Sequence, residues 1–228
     1  MKFACDRDGY RRRLREAVAA ANLSLLSYNI TRNHVHLMAY ADDSQQIASV
    51  MQQAAGEFAR DYNRRKTRRG AFWEGRYHAT MVDSGEYLWE CLNYVELNMV
   101  RCGAARHPRE WAWSGYEELM GLRRRNRLLD IEKLLWLVRT KDIEEFRKNL
   151  EASLQERIAK DQMKREAKWT ESIAVGSESF VAGLEGRVGN RQRMEVVEEG
   201  ETWVLRECYK SILEGKNRPI AAFEGLKY

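Results

Sequence analysis

The sequence predicts an α+β fold built on an antiparallel sheet, and three observations carry the prediction. In the first half of the chain, segments with helical and strand periodicity follow one another in the order α-β-β-α-β-α. Two apolar runs, residues 23–30 and 34–40, flank the short polar stretch Thr31-Arg32-Asn33, as two strands flank a tight turn. Only 2 prolines occur in 228 residues, which suits the long helical stretches of the second half.

Each element has its own signal. Residues 8–21 place Tyr10, Leu14, Val18 and Ala21 on one helical stripe, and residues 45–63 do the same with Ile47, Met51, Ala54, Phe58 and Tyr62. Residues 64–75 read as a basic, glycine-punctuated loop or ribbon, and residues 76–82 as a strand. Asp83 or Ser84 can cap a third helix that runs to about residue 101, with Gly103 just past its end. This order is that of a ferredoxin-like fold short of its first strand. After Trp111-Ala112-Trp113-Ser114-Gly115-Tyr116 the composition changes. Residues 121–128 form a polar, arginine-rich link, followed by charged helical segments at 131–138 and 143–158. A short helix is expected over 176–183, and a strand or extended arm over 196–205. The expected division is therefore residues 1–122 and a charged, mostly helical extension over residues 123–228.

Charge narrows the class of partner. Charged residues make up 32% of the chain and the net charge is +5, unevenly spread. Arg11, Arg12, Arg13 and Arg15 cluster on the first helix, and four arginines lie between residues 123 and 127. Arg60, Arg64, Arg65, Lys66, Arg68, Arg69 and Arg76 crowd one stretch, opposed by Asp61 and Glu74. Tyr62, Phe72, Trp73 and Tyr77 interleave with them, and basic residues among aromatic platforms suit single-stranded nucleic acid. Cys5, Cys91, Cys102 and Cys208 show no CxxC pairing, so they read as reduced intracellular thiols and argue against a zinc cluster. No apolar run is long enough to span a membrane and no signal-peptide pattern follows Met1, so a cytoplasmic location is expected.

The chemistry-bearing residues are His34, His36, Tyr94 and Asn98. Strand side chains two apart share a face, so His34 and His36 would present two imidazoles side by side. From the residues alone they are either a metal pair or structural histidines. Imidazole suits zinc, manganese, nickel and copper, and magnesium is feasible if oxygens complete the shell. Helix residues four apart also share a face, so Tyr94 and Asn98 stand one above the other. Asn98 is either a third ligand through its amide oxygen or a buried hydrogen-bonding residue. Tyr94 is either a nucleophile or a core tyrosine, and Tyr87, two turns earlier, is the second candidate. Glu90 and Glu96 read as solvated carboxylates.

Four ordered blocks carry a family resemblance. Asn33-His34-Val35-His36-Leu37-Met38 resembles the histidine–hydrophobic–histidine signature of the single-tyrosine HUH transposases, the insertion-sequence-200-like class. Gly70-Ala71-Phe72-Trp73-Glu74-Gly75-Arg76 resembles that family's G-x-x-W-E-x-R block. Tyr94-Val95-Glu96-Leu97-Asn98-Met99-Val100-Arg101-Cys102-Gly103 resembles its catalytic helix, Y-x-x-L-N-P-V-R-x-G, and Trp111-Ala112-Trp113-Ser114 resembles the W-x-x-S segment that follows. Together they are similar to the branch called REP-associated tyrosine transposases, over about residues 5–120. Residues 173–181 are similar, less distinctively, to C-terminal extensions in that branch.

The resemblance implies a ferredoxin-like HUH nuclease domain in which His34, His36 and Asn98 bind Mg²⁺ or Mn²⁺ and Tyr94 is the nucleophile. It implies metal-dependent cleavage and strand transfer of single-stranded, hairpin-bearing DNA through a 5′-phosphotyrosine, with the protein often a homodimer. Arg64, Arg65, Lys66, Arg68, Arg69 and Arg76 would contact the hairpin backbone, with Trp73 or Phe72 stacking on a base or packed in the core. Arg32 and Met99 stand where relatives have proline, and neither is a ligand. The family's N-terminal strand is missing before Asp6, which is expected to leave an inner ladder beside the histidine strand unpaired. A misassigned start, a C-terminal segment filling the gap, or a decayed copy would each explain it. The alternative function is a non-catalytic hairpin-binding protein, a truncated or domesticated remnant. A replication initiator or relaxase fits less well, since those usually carry a three-histidine site.

Overall fold

A computed structural model describes residues 1–161, 163–185 and 194–207. The architecture is α+β, with a two-stranded antiparallel sheet, a second mixed sheet and a helical region. Helix α1 (Ala4–Ala21) buries Tyr10, Leu14, Ala17 and Val18 and stops at Asn22, which takes the left-handed conformation at φ 50°. Strands β1 (Ser24–Ile30) and β2 (Val35–Tyr40) pair antiparallel, with Asn29 opposite His36 and Ile30 opposite Val35. Helix α2 (Ser44–Arg65) is capped by Asp43, whose side chain accepts from the Gln45 N–H at 2.9 Å. Leu25, Tyr28, Ile30, Val35 and Leu37 face α1 and α2 and form one core with Tyr10, Leu14, Val50 and Phe58.

The other face of the hairpin is polar as well as apolar, because the register shifts between Leu25 and Ser27. Such a bulge turns two successive residues to one side. Leu26 joins the second core, and Ser27 bonds beside it to Glu96, a residue of helix α3 (Glu86–Glu96). The second edge of β1 is satisfied by a later segment. Ile30 N–H donates to Trp113 O at 2.9 Å, Gly115 N–H to Tyr28 O at 2.8 Å and Asp130 N–H to Leu25 O at 2.8 Å. Among the described residues no strand pairs with the outer edge of β2. The described strands of the C-terminal segment build the second sheet instead.

Two sequence expectations need correction. Residues 76–82 shrink to a two-residue strand, β3 (Met81–Val82), which leaves the histidine hairpin. The preceding stretch spends its side chains instead, as His78 Nε2 lies 2.9 Å and Thr80 Oγ1 2.7 Å from Ser172 O. The expected third helix to residue 101 is also broken. It ends at Glu96, Leu97 turns to ψ 0° while its N–H still donates to Asn93 O at 3.0 Å, and α4 (Asn98–Arg101) follows. Gly103, at φ 71°, then ends the segment as expected.

Beyond it lie α5 (Tyr116–Leu119), α6 (Ile131–Leu137), α7 (Ile143–Ala159) and α8 (Lys168–Glu171). Strand β4 (Ala174–Gly176) and α9 (Glu178–Glu185) follow, and residues 196–205 fall in a hairpin of β5 (Met194–Glu199) and β6 (Thr202–Glu207). The second sheet runs β3-β4-β6-β5, with β3 parallel to β4. Leu134, Phe146, Leu150 and Leu154 pack in the same core as Leu26, Leu92 and Val95. Cys5, Cys91 and Cys102 are free thiols, and Cys208 lies outside the described residues. No helix among the described residues is long and apolar enough to cross a membrane.

Candidate active site

The site begins at the turn before β2. Thr31 N–H donates to His34 O at 2.9 Å and His34 N–H donates to Thr31 Oγ1 at 3.1 Å, which sets the angle at which the chain enters the strand. His34 and His36 then point to one side, and their rings meet edge to face at 4.6 Å. His34 Nδ1 lies 2.9 Å from Asn33 Oδ1. An acceptor there assigns the proton to Nδ1 and leaves Nε2 with its lone pair.

The helical side of the site comes from α3 and α4. Asn98 is a poor helix-interior residue, and its position at the break lets its side chain reach the strand. Asn98 Nδ2 lies 2.8 Å from His36 Nε2. Burial above all, then the neighbouring His34 and Arg101, holds the His36 pKa well below 6.5, so the ring is neutral at physiological pH. Tyr94 lies one turn before Asn98, its ring perpendicular to that of His36 at 6.5 Å. The Arg101 guanidinium sits 3.8 Å from the Tyr94 ring centroid, and Trp169 of α8 lies on the tyrosine at 6.3 Å. Tyr94 is only 6% exposed.

Thus the four residues chosen from spacing stand together. Donor atoms that share a cation at about 2.1 Å lie about 3 Å apart. The His36 Nε2–Asn98 separation has that scale, and rotating the amide would turn its oxygen to the same point. Two imidazoles and an amide oxygen are a fitting donor set for a divalent cation with open positions. Among the described residues, no group of three or more His, Cys, Asp or Glu side chains gathers as a metal site. Tyr87, the second candidate, lies at the other end of α3 beside Asp83 and Glu86, with its pKa raised by burial first.

Sequence reasoning missed the support beneath the site. Glu96 is 1% exposed, not solvated: Oε1 accepts from Ser27 Oγ at 2.6 Å and Oε2 has no hydrogen-bond partner among the described residues. Burial, opposed mainly by the Ser27 bond, pushes its pKa up to about 8. Asn29 Nδ2 donates to Val95 O at 3.1 Å, tying β1 to α3. The signal was Ser27 and Asn29, two polar residues in an otherwise buried strand. Arg101, two turns after Tyr94, was equally open to a helical-face argument. Glu90 pairs with Arg157.

The basic stretch is partly engaged within the protein. Arg65 pairs with buried Asp6, Arg64 with Asp61 at 2.9 Å, and Arg68 donates to Ala71 O at 2.9 Å. Lys66 stands 5.3 Å from the Phe3 ring, while Arg69 and Arg76 are exposed and make no ion pair among the described residues. Trp73 is held in the core, its indole N–H donating to Ala55 O at 2.9 Å and its ring 5.7 Å from Tyr10. Phe72 is buried against Phe58 and Tyr62.

No curated protein and no solved structure matches the chain. The segment that carries the two histidines, the tyrosine and the asparagine does match a known family: residues 4–98 fit the family model described as Transposase IS200 like.

Proposed function

We propose that the protein is a single-tyrosine strand transferase of single-stranded DNA, from the REP-associated branch of the insertion-sequence-200-like transposases. The observation that carries this reading is the meeting of Tyr94, His36 and Asn98 on one side of the hairpin, within the matched segment. In this reading His34, His36 and Asn98 hold Mg²⁺ or Mn²⁺. Once bound, the cation supplies Lewis-acid polarisation of a scissile phosphate. Tyr94 Oη attacks phosphorus in line with the departing 3′ oxygen. The Oη–P bond forms as the P–O3′ bond breaks, the phenol proton passes to solvent and the 3′ oxygen takes one up. The 5′ phosphate stays on Tyr94 until another 3′-hydroxyl attacks it, so strand transfer needs no ATP. Arg101, its guanidinium 3.8 Å from the Tyr94 ring centroid, puts a positive charge beside the attacking group. Exposed Arg69 and Arg76, with the cations around them, supply backbone contacts to a DNA hairpin.

The test is adduct formation on a hairpin oligonucleotide in Mg²⁺ or Mn²⁺. Wild type is expected to form a covalent adduct, and Tyr94→Phe to bind the DNA yet form none. One observation favours a second reading, a hairpin-binding protein without catalysis: Tyr94 is nearly enclosed by Trp169 and Arg101. Metal-independent binding by wild type with no adduct under either cation would establish that reading.

A further inference from the structure

A cleft of about 630 Å³ opens at the N-terminal end of α3, lined among others by Asp83, Gly85, Tyr87, Trp89, Arg139 and Ser177. Its volume is in the range of small-molecule sites. Its floor is fixed. Asp83 Oδ2 accepts from Ser177 Oγ at 2.7 Å, and a Cβ added at Gly176 would come within 2.5 Å of Asp83 Cβ. Asp83 is therefore occupied by Ser177 and by the Ser84 N–H at 2.7 Å.

Arg139 is the unexpected member of the wall. It follows α6 at φ 58°, in the slot where a helix end ordinarily carries glycine. Arg139 N–H donates to Trp136 O at 3.2 Å and Thr140 N–H to Leu135 O at 3.0 Å, the bonds of that helix end. Backbone preference disfavours arginine there, and the guanidinium makes no ion pair among the described residues. Trp136, three residues earlier, is 67% exposed. A cation without an ion pair among the described residues, lining the same cleft as the rings of Tyr87 and Trp89, is the pairing that single-stranded nucleic acid uses, phosphate on cation and base on ring.

Position joins this cleft to the chemistry. Tyr87 precedes Tyr94 by seven residues on the same helix, so the two lie about 10 Å apart along its axis. Stacked nucleotides rise by about 3.4 Å each, so about three of them span that distance. We propose that this cleft binds one nucleotide of the single strand flanking the scissile phosphate, its base against Tyr87 and Trp89 and its phosphate on Arg139. The inference rests on single-stranded DNA being the substrate.

The experiment uses the full chain and a DNA hairpin with a single-stranded oligo-dT flank, binding being measured without metal. Arg139→Gly is expected to melt no lower than wild type, because glycine is at ease at that φ. It should bind the flanked hairpin about tenfold more weakly, and bind a hairpin without the flank as wild type does. In wild type, an abasic site at one flank position should weaken binding by a similar factor. Equal affinity of Arg139→Gly and wild type for the flanked hairpin would overturn the proposal, as would a flank in which no abasic position matters. Flank-dependent binding without a covalent adduct would sink the strand-transfer reading alone. Adducts without flank dependence would sink this inference alone.

Discussion

Glu96 shows most plainly what a single residue does in this site. Its carboxyl is enclosed, with one oxygen bonded to Ser27 and the other without a hydrogen-bond partner among the described residues. A carboxyl raised to about 8 when folded, against about 4.3 when unfolded, binds its proton more tightly in the folded state. Its stabilising contribution is therefore full below the unfolded value and is lost as pH rises through the folded one. Glu96→Gln removes that loss, so the melting temperature of the variant should pull further ahead of wild type between pH 5 and pH 8. A constant difference in chelator-treated thermal melts would show that Glu96 does not titrate in this way. His34, His36, Tyr94 and Asn98 were legible because spacings of two in a strand and four in a helix are local geometry. Glu96 was not, because its burial comes from a bulge near Leu26 in a strand far away in sequence.

The elements place these residues, and two of them do so through partners the sequence conceals. Residues 76–82 were read as a strand, and the part before β3 is not one. It runs instead along residues 169–173, because His78 and Thr80 bond to Ser172 O and Met81 N–H donates to Ile173 O at 2.8 Å. No local pattern reveals a partner more than ninety residues away. The same attachment seats α8, and with it Trp169, on the Tyr94 ring. Trp169→Ala should therefore uncover the phenol, raising the rate at which tetranitromethane nitrates Tyr94, as followed by peptide mass spectrometry. An unchanged rate would mean that Trp169 is not what covers it. Helices α1 and α2 were legible from their stripes, but their tie was not: Arg13 bonds Asp61 at 2.6 Å. That bond is the main cause of the lowered Asp61 pKa, so its contribution is present above about pH 4 and fades as acid protonates the carboxylate. Arg13→Ala is expected to cost about 0.5–1 kcal/mol at pH 7 and less at pH 3, by urea unfolding.

At the scale of the molecule, the core that supports the site draws on both halves of the sequence. Phe146 is 2% exposed and packs edge to face on Trp89 of α3 at 5.6 Å, in the cluster that holds Leu92, Tyr94 and Val95. Phe146→Ala should therefore cost roughly 3–5 kcal/mol of unfolding free energy and loosen the helix that carries the tyrosine. A loss below about 1 kcal/mol would mean that α7 adds little to that core. The α+β class was legible from the order of periodic segments, whereas the assembly of β3 with β4, β5 and β6 depended on contacts across the whole chain. Peptide mapping of the protein after incubation with a hairpin oligonucleotide and Mn²⁺ decides whether the phenol beside the two imidazoles takes the DNA. A nucleotide linked through phosphate to Tyr94 is expected, and a nucleotide on Tyr87 or on any other residue would overturn the strand-transfer reading.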